Sequence, residues 1–504
     1  MKPADALRAG FRLPVVRGRS VLPFYLLSGG VSAAARLPLV AGLVAVYLLL
    51  SAQGRIEPLA RELGRIDPET VDPTDPASVP PGLDEALLGL FTPGVVTVFL
   101  LSVLALLALA VVLGAVARAA TTAAVYAGVR GGDASVAGVD GMADYWRSFL
   151  GLLFLRLVAT GLALAPFGVG VVVAGVGVGL GVGGSPAATA LGILGAAFGG
   201  LVSLVLLLAV SLAFAFAGPA VVVDDVGASA ALRRSLGFLR RRPGNALVYV
   251  AVLLGVLVAY GIVAGVVGAA GAARVAPVFG TLFVFPALDG VKLGLYADVE
   301  PAVGGARPRL RAGIRRGLGA LGRFLRAHPF ANLLAAALFA VSIGAGYAAT
   351  ASYGVRIDAP ADVAGVFGTV AVGPFLNIAA NNWLVATTFV YGGLFAGAGP
   401  LSGIAFNGLL VGALAGVFDP TAFLALVAPH GVIELPALAV AGGLGFHLGR
   451  VGWEWVRGRR SRVSVGNELV VAFDVLVGLA VVLVVASFVE AFLTPQIAAY
   501  VLGG

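Results

Sequence analysis

The chain of 504 residues is 60% hydrophobic and only 12% charged, with a mean hydropathy of +1.02, which places it in the membrane class and leaves no soluble domain of useful size. Its net charge of +8 is nearly all arginine clustered between apolar segments, since lysine occurs only at Lys2 and Lys292; this is a positive-inside pattern and not a nucleic-acid footprint. It has no cysteine, which excludes disulfides, thiolate metal sites and a cysteine nucleophile.

Taken in chain order, the basic first 19 residues show no convincing small-residue cleavage site and are expected to be a retained cytoplasmic tail leading into a first span at 31–51. Residues 52–92 are polar, acidic and proline-rich, the pattern of an external loop of low regular structure. A second span follows at 93–116. Arg118 and Arg130 then mark the inner face, and 133–148, with Tyr145 and Trp146, suits a segment lying flat at the interface. The Gly/Val tract at 149–184 is long for one span: tilted, kinked at Pro166, or split in two. A fourth span covers 187–219.

At 228–242, Arg233, Arg234, Arg240, Arg241 and Arg242 alternate with Leu232, Leu236, Phe238 and Leu239. That spacing fits an amphipathic helix on an anionic membrane surface, and equally a topology-setting loop with a short helix; the two are compatible. Spans at 245–270 and 275–297 complete a six-span domain at 1–297, the last holding Asp289 and Lys292 at a spacing that lets them pair. Residues 298–328 carry seven arginines from Arg307 to Arg326 and are expected to be a cytoplasmic linker. A second domain, 329–504, holds spans at 330–350, 382–398, 401–418, 430–449 and 469–492, with a basic cytoplasmic stretch at 450–462. The fold class is thus an all-α polytopic bundle of about eleven spans, six plus five, with the N-terminus cytoplasmic.

Glycines recur every four residues in the second domain, at Gly393 and Gly397, at Gly408, Gly412 and Gly416, and at Gly445 and Gly449. Such faces let helix backbones approach where lipid supplies no hydrophobic drive. His430 and Glu434 share one helix face about 6 Å apart along the axis. Asn381 and Asn382, after Asn377, are expected to start one helix and Asn407 the next, with Pro429 in the first turn of a third and Pro436 bending it. Asn, His and Glu are expensive in hydrocarbon. The cluster Asn381, Asn382, Asn407, His430 and Glu434 therefore has three readings: a hydrogen-bonded structural core, a protonatable or ion-binding transport site, or an acid/base or metal pair. A metal needs three or four ligands, and His328 and His447 fall toward the cytoplasmic side, so no metal and no cofactor are expected. Asp474 is expected near the cytoplasmic arginines, and Glu490 in interfacial water at the outer end. No phosphate loop or nucleophile elbow is present, and the expected role is not enzymatic.

Asn381-Asn382, Asn407-Gly408, the string Pro429-His430-Gly431-x-x-Glu434-Leu435-Pro436-Ala437 and the late Glu490-Ala-Phe-x-Thr494-Pro495 resemble the stage II sporulation protein M family of integral membrane proteins over about 320–500. The resemblance implies a membrane-embedded assembly factor, which in spore formers partners with cell-wall-degrading proteins during engulfment. The N-terminal half is more loosely similar to uncharacterised archaeal and bacterial multi-span domains with a Ser-Leu-x-Phe-Leu-Arg-type helix. The expected role is a scaffold or assembly factor in the cytoplasmic membrane. Its expected partners are the lipid bilayer and proteins of the membrane or envelope, with self-association open and nucleic acid excluded. The alternative is an ion or lipid transporter or channel using Glu434.

Overall fold

A computed structural model describes residues 2–65, 82–179, 186–298, 310–353 and 371–503. The centre of the acidic loop, the end of the Gly/Val tract and the part of the basic linker with Arg307 and Arg309 lie outside these residues.

Among the described residues the chain is helical and without strands. Helices α1 (Pro3–Val16), α2 (Gly18–Ala35) and α3 (Leu37–Ala52) come first, and α2 and α3 form one apolar run jointed at Arg36. Pro38 explains the joint, because its missing N–H cannot continue the helical ladder. The described flanks of the acidic loop carry two short helices, α4 (Ile56–Leu63) and α5 (Leu83–Leu88), which its proline-rich composition hides. Next come α6 (Pro93–Val129), α7 (Ala134–Asp144) and α8 (Trp146–Gly179). The Asp133 carboxylate accepts from the amides of Ser135 and Val136 and caps α7. Helix α8 passes unbroken through Pro166. Then follow α9 (Pro186–Phe214), α10 (Ala217–Val223), α11 (Ala228–Arg241), α12 (Pro243–Ala269) and α13 (Val275–Phe279), which continues through a π turn (Gly280–Val284) into α14 (Phe285–Ala297). The last third holds α15 (Leu310–Ala327), α16 (Pro329–Ala351), α17 (Val372–Gly392), α18 (Ala398–Val417), α19 (Pro420–Val456), α20 (Arg462–Phe488), a second π turn (Val489–Leu493) and α21 (Thr494–Leu502).

Ten helical stretches among the described residues are long and apolar enough to cross a membrane. This is an integral membrane protein. The eleventh expected span corresponds to α17, whose 21 residues include Asn377, Asn381 and Asn382 and are correspondingly less apolar. Its placement differs from the sequence expectation of 382–398. The asparagines lie inside the helix, and the reversal falls where Ala396 and Gly397 adopt positive φ (54° and 77°). Similarly, α19 starts ten residues before His430, at Pro420, where Asp419 accepts from the Thr421 and Ala422 amides at 2.9 Å. Pro429 and Pro436 are therefore both interior.

The chain packs as two compact units that do not follow the linear division at 297/329. The first comprises Met1–Leu13, Ala115–Gly255 and Pro286–Gly304. Its centre is aromatic: Phe216 meets Phe238 at 4.5 Å and Tyr249 at 5.3 Å between ring centroids, with Val291 and Leu295 fully buried beside them. Ser235 of α11 closes the break between α9 and α10, accepting from the Phe216 amide and donating to the Ala213 carbonyl at 2.6 Å. Helix ends buried without partners are costly, so this hydroxyl explains how the kink survives in an apolar setting. Lys292 and Asp289 pair at 2.7 Å.

The second unit comprises Pro14–Gly114, Val256–Phe285 and Gly305–Gly504. Helix α2 belongs to it because Gly30 lies on the backbone of Tyr391 and Gly392, where no Cβ would fit, and because Ser402 donates to the Ala33 carbonyl at 2.7 Å. The sequence division into an N-terminal 1–297 domain is thus not a packing boundary. The expected linker contributes α15, an amphipathic helix laid along α20 with Gly317 against Gly478.

Candidate functional site

The second unit is held by glycine contacts at backbone distance. Gly393 and Gly397 meet Gly445 and Gly449 where α17 turns into α18, while Gly408, Gly412 and Gly416 lie on Ser342, Ile343 and Thr350 of α16. The four-residue spacing of Gly408, Gly412 and Gly416 and of Gly445 and Gly449 places each of these sets on one helix stripe, whereas Gly393 and Gly397 lie in the reversal between α17 and α18 and not on the helix face that their spacing suggests. Trp383 donates to the Leu476 carbonyl at 3.2 Å and the Tyr391 hydroxyl to that of Leu469 at 3.1 Å, which fixes α17 against α20.

Inside this frame, α19 presents His430 and Glu434 one turn apart to the end of α20. There the chain makes its π turn immediately before Pro495. A proline offers no N–H to the carbonyl four residues back, and the Thr494 amide and hydroxyl instead both donate to the Val489 carbonyl. The other π turn likewise ends two residues before a proline, Pro286. The wide turn brings Glu490 to the α19 pair: an imidazole nitrogen of His430 and carboxylate oxygens of Glu434 and Glu490 all lie within 4.8 Å of one another, each residue half-buried.

Two further contacts orient the cluster. His430 Nδ1 lies 3.4 Å from Thr494 Oγ1. That hydroxyl spends its one proton on Val489, so it accepts from Nδ1–H and leaves Nε2 with the free lone pair. On the other side, the Asn382 side chain interacts with the Glu434 carboxyl, and Asn381 Nδ2 donates to Asn382 Oδ1 at 3.3 Å. Asn381, Asn382, His430 and Glu434 are thus gathered together. Asn407 is not joined to them by a hydrogen bond; its amide donates back to the Gly403 carbonyl of its own helix at 2.7 Å. Asn377 accepts from the Arg274 amide at 2.9 Å.

Glu490, expected in interfacial water, is instead the third member of this group, and Thr494 supports it. Both stand in the quoted Glu490…Thr494-Pro495 string, and the Thr-Pro pair was the available signal: a proline late in a span frees a carbonyl and re-aims the preceding turn. No Lys or Arg among the described residues forms an ion pair with Glu434 or Glu490. Two ionised carboxylates at this separation repel by roughly 3 kcal/mol at an effective dielectric of about 20.

A separate polar group forms where α19 turns into α20. His447 Nε2 meets Glu468 at 3.1 Å, and Arg460 bridges Glu468 and Glu454 at 3.0 Å each. The His328 ring meets His447 in a tilted contact at 4.2 Å between ring centroids. Every charge there has a partner of opposite sign, so the group serves as a joint. Asp474, 5% exposed, is held by Arg19 at 2.7 Å and Arg316 at 3.2 Å, as its expected closeness to the arginines requires. The Arg233, Arg234, Arg240, Arg241 and Arg242 side of α11 is exposed, with Arg234 near Asp224 and Arg242 on Asp298 at 2.8 Å.

Residues 21–304 match a family of unknown function, DUF7544, over more than half of the chain. The chain belongs to that family. Residues 335–495, which contain all of His430, Glu434, Glu490 and Thr494, match the Stage II sporulation protein M family. The uncharacterized protein MJ0793 of Methanocaldococcus jannaschii is 26% identical over 133 residues, covering 25% of this chain and 75% of its own length. No solved structure matches the chain. The DUF7544 match crosses both packing units, so sequence families and packing divide this chain differently.

Proposed function

We propose that this DUF7544 protein is a non-enzymatic, multi-pass protein of the cytoplasmic membrane that scaffolds the assembly of a membrane-associated complex, with its sporulation protein M segment as the rigid receptor. The observation that carries the reading is the continuous backbone-to-backbone glycine packing of α16 to α19. Packed interfaces of this kind hold one arrangement and resist continuous deformation, which suits a template better than a carrier that must alternate between two packings. The exposed arginine face of α11 adds an electrostatic contact with anionic headgroups.

The buried carboxylates favour a second reading, transport through the Glu434 site. One pair of experiments separates the two. Glu434→Ala is expected to deplete the assembled species on native gels of solubilised membranes. Proteoliposomes of the wild-type chain are expected to show no ion or lipid flux that Glu434→Gln removes; such a flux would replace the scaffold with a transporter. Unchanged assembly in Glu434→Ala would remove the scaffold reading.

A further inference from the structure

The joining of His430, Glu434 and Glu490 leaves a chemical imbalance that the scaffold reading does not use. One imidazole and two carboxylates converge from two helices, no cationic side chain pairs with either carboxylate among the described residues, and the Asn382 side chain beside Glu434 is neutral. Polar groups in an apolar setting stay where they are satisfied. We propose that His430, Glu434 and Glu490 bind one divalent first-row metal ion that clamps α19 to the turn between α20 and α21.

The donor set selects the ion. Imidazole with two carboxylates suits Zn2+ or Mn2+, whereas Ca2+ and Mg2+ favour oxygen donors alone and the chain has no thiolate for softer ions. Around a tetrahedral Zn2+ with bonds near 2.1 Å, donor atoms stand about 3.4 Å apart. The present spread of up to 4.8 Å exceeds that by at most about 1.4 Å, which is within the reach of a glutamate side-chain rotation. The outer partners are also those of a ligand set. Thr494 holds Nδ1–H and frees Nε2 for ligation, while Asn381 and Asn382 fix Glu434 from behind. The π turn that carries Glu490 is an independent observation, since single π turns within α-helical spans concentrate at functional positions. Two charges of the ion neutralise the two carboxylates, which removes their mutual repulsion.

The test uses the full-length, tag-free chain in detergent, stripped with chelator, dialysed against Zn2+ and analysed by elemental mass spectrometry, with Co2+ absorption bands as a second readout. About one ion per chain is expected, and Zn2+ is expected to raise the melting temperature. Glu490→Gln and His430→Gln are expected to weaken binding roughly tenfold or more and to abolish the Zn2+-dependent shift. Melting of Glu490→Gln at or above the wild-type temperature in chelator would show that this variant is folded and relieved of repulsion. His447→Gln, in the other His/Glu group, is expected to keep the ion. Absence of a retained ion in the wild type, or equal retention by Glu490→Gln, overturns the site. Because the purified chain alone is measured, failure here leaves the scaffold reading standing, and failure of assembly leaves this one standing.

Discussion

His328 shows how a single side chain ties pH to the stability of this bundle. It sits just before α16, outside the apolar spans, with its ring on His447 and with Glu468 and Arg450 nearby. Burial, and then the neighbouring His447, push its imidazole below the ordinary value of 6.5, against a smaller opposing pull from Glu468. The sign follows from proton counting. Below about 6.5 the unfolded chain binds a proton at this position that the folded chain resists, so the stabilisation is complete above that value and is lost as pH falls through it toward the lower folded-state value. The contribution of this ring to the melting temperature should therefore fall between about pH 7 and pH 5, and the His328→Gln profile should differ from the wild type by the loss of that decline. Parallel pH profiles for wild type and variant would disprove the assignment.

At the scale of elements, glycine spacing was legible in advance and helix boundaries were not. The stripes Gly408-Gly412-Gly416 and Gly445-Gly449 follow directly from helical periodicity and meet neighbouring backbones, while Gly393 and Gly397 lie in the turn between α17 and α18. The starts of α17, α18 and α19 were misplaced because asparagines and Pro429 look like interface and first-turn residues in a linear reading. In the fold the asparagines are held by partners inside the bundle, and the actual signals, Asp419-Pro420 and the positive-φ pair Ala396-Gly397, are shorter and weaker. Glu490 was missed for a related reason, since a π turn shifts the facing of every residue after it and cannot be seen in a regular 3.6-residue pattern. The packing role has its own test within one pair of helices. A Cβ on Gly412 would overlap the Ile343 carbonyl, whereas Gly344, one residue further along that same facing helix, has open space. Gly412→Ala should cost about 1–3 kcal/mol through forced separation of α16 and α18. Gly344→Ala should be neutral, or stabilising by up to about 1 kcal/mol from helix propensity. Equal unfolding midpoints in detergent for the two variants would contradict close packing.

For the whole molecule, charge decides which way the chain threads the membrane. By the positive-inside rule the basic stretches at 223–243 and 450–467 are expected on one side, and the loop with α4 and α5 on the other. Charge alone supplied this assignment, because orientation depends on where the arginines are and not on how helices pack; the interleaving of chain segments between the two packing units, by contrast, depends on contacts such as Gly30 on Gly392 that no linear pattern announces. With α17 counted, the spans number eleven among the described residues, an odd number that leaves the two ends on opposite faces. The absence of cysteine makes the chain its own background for mapping. Cysteine placed at Arg240, exposed on α11, should react with a membrane-impermeant maleimide only after the membrane is opened, and cysteine at Glu85 of α5 should react in intact cells. Cysteine at Gln496, in α21 past the last π turn, should behave like the one at Glu85. If Gln496 instead followed Arg240, the count would be even, and α17, with its three asparagines, would be read as a re-entrant segment and not a span.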